Sequence, residues 1–502
     1  MKSQMKSKIQ LVRRSLGEGG NPKSKFENAV CIRTYGCQMN RLDSEMVCSA
    51  LRRAGYRIIA DYENADIILF NTCSVREHAE QRVFSNIGAL RRLKDRKPSL
   101  RIGVLGCMAQ RYGDGILRRA PHVDLICGPH MLPHIVELLA RAESGPVIAI
   151  DEKRDGEIER ASSDRPMRHS AFVAVSRGCD NYCAYCVVPY VRGNEISRPP
   201  DEIEHEVRLL ADDGAKEITL LGQNVDTYGK GLTPAVTLAD LLYRLSEIGG
   251  LERLRFATSH PRFISLQLLQ AMRDLPNVCE HLHMPAQSGS NRILAAMKRG
   301  YTRERYLDVV AMAREIVPGI AIAGDFIVGF PGETPEDFDA TARLMAEVRF
   351  QNCFIFKYSA REGTAAAELP DDVSDADKQR RNHVLLKLQE QISREENAKY
   401  VGSTVEALTD GPSKSNPVRL SGRLRTNHIV VFDGDDRSAT EVTENAGDKS
   451  SIHNGKPGRN SVSSVAHCRK RCLSGELVSV LVQETTPLTL FGRLVSLPPP
   501  LP

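Results

Sequence analysis

The sequence contains no tryptophan, and only 5% of its 502 residues are aromatic. Stacking on nucleic-acid bases would therefore have to use tyrosine, phenylalanine or arginine side chains. No apolar run approaches the roughly 18 residues needed to cross a bilayer, and the basic first residues lack the apolar centre of a secretory signal. We therefore expect a cytoplasmic protein without membrane contact.

The sequence also lacks a large excess of positive or negative charge. It contains 68 Lys+Arg and 63 Asp+Glu, which gives a net charge of +5. Attraction to nucleic acid would have to come from local patches rather than from overall charge. The thirteen cysteines are an odd number in a long chain without an export signal. This argues against a disulfide framework and favours thiols used as metal ligands or reactive groups.

Hydrophobic periodicity predicts an α/β protein with three folded parts. Residues 1–27 are basic, polar and without periodicity, which predicts a disordered leader, with a mitochondrial presequence as the alternative. Short apolar stretches alternate with amphipathic ones over 28–150, which predicts a domain with a parallel α/β sheet. Its predicted strands are 30–35, 67–71, 102–105 and 123–126.

A second series of strands and helices follows a polar link and predicts a central domain at 165–397. Its six units favour a partial (β/α)6 barrel that is not fully closed. The predicted strands are 172–176, 217–221, 253–257, 280–283, 320–328 and 353–358. The remaining domain, 398–497, has short strands typical of a small β-barrel, and we interpret 433–471 as a flexible insert because it holds too few apolar residues to fold.

The first cysteine group lies directly after the first strand of the central series. Residues 177–186 read RGCDNYCAYC, so Cys179, Cys183 and Cys186 have C-x3-C-x2-C spacing. Three thiolates can hold three irons of a four-iron cluster and leave the fourth iron open to another ligand. A zinc site is the alternative, but no fourth cysteine or histidine stands at close spacing.

The second group consists of Cys37, Cys73 and Cys107, each of which follows a predicted strand of the first domain. The carboxyl ends of parallel strands meet at one sheet edge, where open α/β sheets bind their ligands. We predict a second cluster there, with three buried thiols as the alternative. The other cysteines are interpreted as packing residues or, in the insert, as weak metal candidates: Cys31, Cys48, Cys127, Cys279, Cys353, Cys468 and Cys472.

Polar residues also follow the later strands of the predicted barrel, where barrel enzymes build their active sites. The predicted cofactor-binding residues are Gly222, Gln223, Asn224, Ser259, His260 and Gln287. The alternatives are a helix-entry turn capped by Asn224 and a buried His260 with satisfied hydrogen bonds. The charged stretch at 192–198 is equally compatible with a solvated surface and with a cofactor contact.

Several segments together resemble a known family. They are 34–40 (TYGCQMN), 71–77 (NTCSVRE), 106–110 (GCMAQ) and the cysteine loop at 177–186. The combination is similar to the methylthiotransferases of the radical S-adenosylmethionine superfamily, over about 28–433 and again from about 475. Segments 71–77, 257–261 (ATSHP) and 284–292 (MPAQSGSNR) are most similar to members that act on dimethylallyl adenosine in tRNA.

The resemblance implies two [4Fe-4S] clusters and S-adenosylmethionine as cofactors. The cluster on Cys179, Cys183 and Cys186 would supply the electron that cleaves S-adenosylmethionine to a radical, and the cluster on the other three cysteines would carry the sulfur. The implied product is a methylthio group on C2 of N6-(dimethylallyl)adenosine next to the anticodon. The alternatives are a sister enzyme for threonylcarbamoyl adenosine or a ribosomal-protein aspartate, and a non-catalytic iron-sulfur RNA-binding protein. Implied partners are the tRNA anticodon loop and an unidentified electron donor, and we expect a monomer.

The terminal module is similar to the small RNA-binding barrel called TRAM, in residues 422–428 (GRLRTNH). Arg423 and Arg425 are the predicted RNA phosphate contacts. The sequence departs from the family pattern in two places. Leu424 is apolar where a polar residue is expected, and the insert at 433–471 interrupts the barrel.

Overall fold

A computed structural model describes residues 28–74, 77–150, 165, 167–434 and 473–496. The predicted leader, most of the polar link and nearly all of the predicted insert, with Cys468 and Cys472, lie outside the described residues.

The N-terminal part is a parallel sheet with helices on both faces. Its strands are β1 (Ala29–Tyr35), β2 (Arg57–Ile58), β3 (Ile67–Thr72), β4 (Arg101–Gly106), β5 (Leu125–Cys127) and β6 (Val147–Ala149). Its helices are α1 (Gln38–Arg53), α2 (Glu77–Arg96), α3 (Cys107–Tyr112), α4 (Gly115–Arg119) and α5 (Ile135–Arg141). The strand order is β2-β1-β3-β4-β5-β6.

The central strand β3 is buried along its whole length, as expected for a parallel strand covered on both faces. The predicted parallel sheet is confirmed, and it has two strands more than the sequence indicated. The additional strands β2 and β6 are at the edges and have only two and three residues. Such short segments leave no periodic signal in a sequence.

The central part contains eight further strands. They are β7 (Ser170–Ala174), β8 (Ser176–Arg177), β9 (Ile196–Ser197), β10 (Glu217–Leu221), β11 (Arg253–Ala257), β12 (His281–His283), β13 (Ala321–Val328) and β14 (Asn352–Lys357). The helices are α6 (Val188–Arg192), α7 (Pro200–Asp212), α8 (Leu238–Ser246), α9 (Leu266–Asp274), α10 (Asn291–Ala296), α11 (Arg303–Ile316), α12 (Pro335–Val348) and α13 (Asp375–Ala398).

Six of these strands form the predicted partial barrel. The parallel sheets β11-β10-β7 and β12-β13-β14 are joined by a parallel bridge between Leu254 and Val278. The strands therefore lie side by side in chain order, and among the described strands β7 does not pair with β14. The expectation of an α/β barrel that is not closed is confirmed.

The C-terminal part is a closed five-stranded barrel. Its strands are β15 (Thr404–Pro412), β16 (Leu420–Arg423), β17 (Ile429–Asp433), β18 (Leu477–Thr485) and β19 (Thr489–Ser496). The order β15-β16-β17-β19-β18 closes the barrel even though a long segment separates β17 from β18 in the chain. The apolar Leu424 is buried in the barrel core, which explains its departure from the family pattern.

Candidate cofactor site

The loop that carries the first cysteine group is held at its base by the antiparallel pair of β8 and β9. Gly178 begins the loop with a φ of +81°, and a Cβ there would lie 2.0 Å from the carbonyl oxygen of Asn194. Only glycine allows this close approach of the two loop ends. The Gly178 N–H donates to the side-chain oxygen of Gln223, which ties the loop to the end of β10.

The three cysteines of this loop are wholly or partly shielded from solvent. Cys179 and Cys183 are buried and Cys186 is half-buried, and burial raises the pKa of Cys186 to about 12. Arg299 lies against Cys183, with Nη1 to Sγ at 3.5 Å. Arg299 therefore places a positive charge directly beside a thiol that is a predicted iron ligand.

The described residues contain no group of three Cys, His, Asp or Glu side chains placed to hold a single metal ion. A zinc site requires its ligands to converge on one ion. In a four-iron cluster each thiolate binds a different iron, so the thiols stand apart around the cluster.

The second cysteine group is brought to one edge of the N-terminal sheet. Cys37 is the N-cap residue directly before α1, Cys73 follows β3, and Cys107 is the first residue of α3. A hydrogen bond from the Cys73 thiol lowers the pKa of Cys37 to about 6. Burial raises the pKa of Cys107, and the charge of Cys37 acts on it in the same direction. The three cysteines therefore lie at the same edge of the sheet, after the carboxyl ends of β1, β3 and β4, as the sequence predicted.

Two buried asparagines lock the strand ends that carry Cys37 and Cys73. Asn40 Nδ2 donates to Asn71 Oδ1 at 3.2 Å and to the carbonyl of Thr72 at 3.1 Å. Asn71 Nδ2 donates in return to the Asn40 carbonyl at 2.8 Å. The thiol of Cys37 donates to Asn40 Oδ1 at 3.3 Å. This network fixes both cysteines relative to the sheet.

Helix α1 packs across the mouth of the central barrel. Its residues Met39 and Leu42 contact Ala174 and Leu221, which are the last residues of β7 and β10. The carboxyl ends of parallel strands are where barrel active sites lie. Because α1 starts directly after Cys37, this packing brings the second cysteine group to the barrel mouth.

The two cysteine groups also meet through α6, which follows Cys186. Cys107 packs against Val187 and Val191 of that segment. Segment 187–192 therefore links the loop of the first group to Cys107 of the second.

The predicted residues after β10 lie beside the first cysteine loop. A Cβ on Gly222 would lie 2.6 Å from Ser176 Oγ, so the chain passes close to the loop base. Asn224 is 2% exposed, and neither its Oδ1 nor its Nδ2 has a hydrogen-bond partner among the described residues. Asn224 stands at the N-cap position of a short 3₁₀ turn at Val225–Thr227, as the helix-entry alternative expected, but its side chain makes no capping bond. A buried amide without partners is costly, and a bound polar ligand would satisfy it.

The residues after β11 form a second polar contact at the mouth. Ser259 Oγ and the His260 N–H both donate to the carboxylate of Asp226, at 3.0 and 2.6 Å. Burial raises the pKa of Asp226 to about 7. Burial, together with the cation of Arg299, lowers the pKa of His260 to about 2, so this histidine is neutral.

Gln287 has a φ of +69°, and its backbone bridges to Phe326 of β13. Its N–H donates to the carbonyl of Asp325 at 2.7 Å. Gln287 therefore lies after β12 at the same edge as Asn224 and His260.

The predicted RNA-contact arginines lie at the junction of the terminal barrel with the central barrel. Arg425 donates to the carboxylate of Glu280 at 2.6 and 2.8 Å and to the carbonyl of Val278 at 2.6 Å. Arg423 Nη1 donates to Asn427 Oδ1 at 2.9 Å. Both guanidinium groups have protein partners, and their contact with RNA stays a prediction.

Asp43, Arg177 and Arg192 form a buried ion-pair group that the sequence pattern did not predict. Arg177 Nη1 and Arg192 Nη2 donate to the two oxygens of Asp43, at 2.7 and 2.8 Å. Arg192 is only 5% exposed, so a solvated surface is the wrong interpretation for this residue. One signal was available: Asp43 is an acidic residue three positions before Met46 on the apolar face of α1.

Comparison with known proteins identifies the family. Residues 29–128 match the "Uncharacterized protein family UPF0004", and residues 173–345 match the "Radical SAM superfamily". The chain is 48% identical over 409 residues to the tRNA-2-methylthio-N(6)-dimethylallyladenosine synthase of Thermoanaerobacter sp. (strain X514), covering 81% of this chain and 87% of the relative. The corresponding protein of Moorella thermoacetica is 47% identical, covering 80% of this chain and 92% of the relative.

The chain belongs to the family of tRNA-2-methylthio-N(6)-dimethylallyladenosine synthases. It is an enzyme of the radical SAM superfamily, and this membership implies an iron-sulfur cluster and S-adenosylmethionine as cofactors. Among solved structures, the radical S-adenosylmethionine methyltransferase TsrM from Kitasatospora setae has a TM-score of 0.50 at 14% identity. The match covers 68% of this chain and 77% of that chain and supports the fold. None of the described helices is long and apolar enough to cross a membrane.

Proposed function

We propose that the enzyme adds a methylthio group to C2 of N6-(dimethylallyl)adenosine next to the anticodon of tRNA. The observation that carries this proposal is the placement of two cysteine groups at one barrel mouth. One group lies on the loop after β8, and the other is brought there by α1 and α3. The C2–H of an adenine ring is neither acidic nor electrophilic, so acid–base groups alone offer no route to substitution.

The residues present fit the cofactors that the family implies. Cys179, Cys183 and Cys186 would hold the cluster that binds S-adenosylmethionine, and the N-terminal group would hold a second [4Fe-4S] cluster. The unpartnered amide of Asn224 is the observation that favours a polar ligand beside the first cluster. When bound, the cofactors supply radical chemistry and a source of sulfur.

The chain's own residues orient the ligand and exclude water. Gln223 fixes the start of the first cysteine loop, and Asn224 would donate to and accept from the cofactor. Asp226 accepts hydrogen bonds from Ser259 and His260 and would hold them in place at the barrel mouth. Gln287 would contact the ligand from the same edge of the barrel. Since His260 is neutral, it would act as a positioning group and not as a proton donor.

We also propose a separate role for each of the three domains. Residues 28–150 would carry the second cluster, 165–397 the first cluster and S-adenosylmethionine, and 398–497 the RNA-binding barrel. Arg423 and Arg425 would contact RNA phosphate only if they exchange their present partners. The enzyme would work in the cytoplasm as a monomer, with a separate protein as electron donor.

Nucleoside mass spectrometry of tRNA from a deletion strain tests the proposed function. We expect N6-(dimethylallyl)adenosine to accumulate and its 2-methylthio form to be lost, and the wild-type chain to restore it. Loss of methylthio-threonylcarbamoyl adenosine instead would support a sister enzyme and refute the proposal.

Iron and sulfide analysis tests the two-cluster arrangement separately. We expect eight irons per reconstituted chain. The Cys37→Ala, Cys73→Ala, Cys107→Ala triple variant should hold four and still form 5′-deoxyadenosine with reductant and S-adenosylmethionine. A non-catalytic iron-sulfur protein would bind iron but form no 5′-deoxyadenosine in either chain.

A further inference from the structure

A buried ion-pair group lies between the two cysteine groups and belongs to neither. Asp43 is 1% exposed and lies on α1, six residues after Cys37. Arg177 precedes the first cysteine loop, and Arg192 ends α6 after it. Both arginines donate to the Asp43 carboxylate, so one acidic side chain joins the N-terminal sheet to both ends of the loop.

The charge of this group is not balanced within itself. Two guanidinium groups face one carboxylate, and a surplus positive charge is costly in a buried place unless an anion compensates it. The Nη2 of Arg177 lies 3.4 Å from the thioether sulfur of Met46, which carries no charge. Arg192, at the end of α6, is the more deeply buried of the two cations.

Arg192 faces the second cysteine group. Its neighbour Val191 packs against Cys107. The positive charge of Arg192 acts to lower the pKa of the Cys107 thiol, against the larger effect of burial. The positive charge of Arg192 also acts to lower the pKa of Cys37. Three thiolates carry more negative charge than an oxidised four-iron core carries positive charge, so a loaded site would be anionic. The surplus cation and the anionic site would compensate each other.

We propose that Arg192 is a positioning residue for the second cluster, which it stabilises by charge while Asp43 and Arg177 fix its orientation. This inference rests on the proposed second cluster. Hydrogen bonds and charges around cluster sulfurs set both metal affinity and reduction potential. Arg192 and Asp43 should therefore shift the potential in opposite directions, which a merely structural role would not do.

The test uses the full chain with Cys179, Cys183 and Cys186 changed to alanine, so that only the second cluster can form. Iron retention against a chelator and the midpoint potential from an EPR-monitored titration are measured. We expect Arg192→Gln to lower the apparent iron affinity about 10-fold or more and to make the potential more negative. Arg192→Lys keeps the charge and should recover most of the potential.

Asp43→Asn removes the negative charge but keeps Arg192, so we expect a more positive potential together with weaker iron retention. Arg198→Gln is the matched control, because Arg198 lies near the same loop but pairs with Glu206 and the Ala174 carbonyl. It should leave the potential unchanged.

Shifts of equal sign in the Arg192 and Asp43 variants, or no shift in either while iron is bound, would overturn the inference alone. A parent chain that binds no iron after reconstitution would refute the second cluster and the inference with it. If Arg192→Gln does not fold, the Asp43→Asn variant still decides, because a potential that is unchanged or more negative than that of the parent would overturn the inference.

Discussion

Gly36 precedes Cys37 and has a φ of +144°, a conformation that L side chains rarely adopt. A Cβ on this residue would lie 2.5 Å from the Cβ of Cys73. The glycine therefore allows two cysteines from different strands to come close together. Similar close approaches at Gly178 and Gly222 shape the first cysteine loop and its neighbour.

Gly36→Ala should displace Cys73 and destabilise the fold by about 1–3 kcal/mol, because the added methyl group has no space. We expect the reconstituted chain to lose about half of its iron, measured by iron analysis and denaturant unfolding. Gly55→Ala is the matched control. Gly55 also has a positive φ, of +89°, but no atom lies within 4 Å of its Cβ position. Equal iron loss in both variants would contradict the steric explanation.

Asp226 should give the cofactor-free protein a measurable pH dependence. Burial raises its pKa from 3.8 to about 7, so the folded state keeps a proton that the unfolded state releases. Its contribution to stability is therefore present below about pH 4 and is lost as the pH rises to about 7, at no more than about 1.4 kcal/mol per pH unit.

We expect Asp226→Asn to remove this contribution, so that the variant is stabilised relative to wild type as the pH rises from 4 to 7. Denaturant unfolding across this range measures the difference. Asp212→Asn, at an exposed position of α7, should keep the wild-type profile. A parallel profile for Asp226→Asn and wild type would contradict the assigned pKa.

Helix α1 is the element that joins the two halves of the site. Its sequence predicts an amphipathic helix, but it has two apolar contacts rather than one. Val47 and Leu51 pack on the N-terminal sheet, whereas Met39 and Leu42 pack on the ends of the barrel strands. Periodicity reports that a face is apolar and does not report which element covers it.

Leu42→Ala should cost about 2–5 kcal/mol, because a fully buried leucine leaves a cavity between α1 and the barrel. We expect a lower unfolding midpoint and faster chemical labelling of Cys37 in the iron-free chain. Leu209→Ala, at a half-exposed position of α7, should change stability by no more than about 0.5 kcal/mol. A Leu42→Ala variant as stable as wild type would show that α1 does not pack on the barrel.

The whole molecule is held together by buried arginines that reach from one part to another. Arg253 and Arg255 of β11 donate to the backbone carbonyls of Arg423, Leu424 and Arg425. Segment 422–428, which resembles an RNA-binding motif, thus docks the terminal barrel on the central one. On the other side, Glu80 accepts from Arg111 and Arg361 at 3.2 and 3.1 Å.

Arg255→Met should loosen the terminal barrel, since it removes two interdomain hydrogen bonds and leaves buried Glu217 without its partner at 2.7 Å. We expect a loss of about 3–5 kcal/mol, and a higher KM for tRNA with little change in 5′-deoxyadenosine formation without tRNA. Arg244→Met removes only exposed ion pairs and should cost no more than about 1 kcal/mol. An unchanged KM in Arg255→Met would show that docking does not affect tRNA binding.

Local pattern determined the element types and the cysteine groups. Hydrophobic periodicity predicts most strands of the sheet and of the open barrel. The spacing of Cys179, Cys183 and Cys186 indicates an iron-sulfur cluster from the sequence alone. The helix-entry turn at Asn224 is present, but its side chain makes no capping bond. A solvated surface was the wrong interpretation for Arg192, because burial depends on residues that are distant in the chain.

The sequence by itself determined the parallel strands and located the two cysteine groups, because strand periodicity and the position of a cysteine after a strand are local properties. The cofactors were indicated by the resemblance of whole segments to a known family. Only the tertiary structure decided that α1 crosses the barrel mouth, that Asp43 joins Arg177 and Arg192, and that segment 422–428 is a docking surface. These contacts join residues more than a hundred positions apart. Their geometry depends on how whole elements pack, and no local pattern in a sequence records that packing.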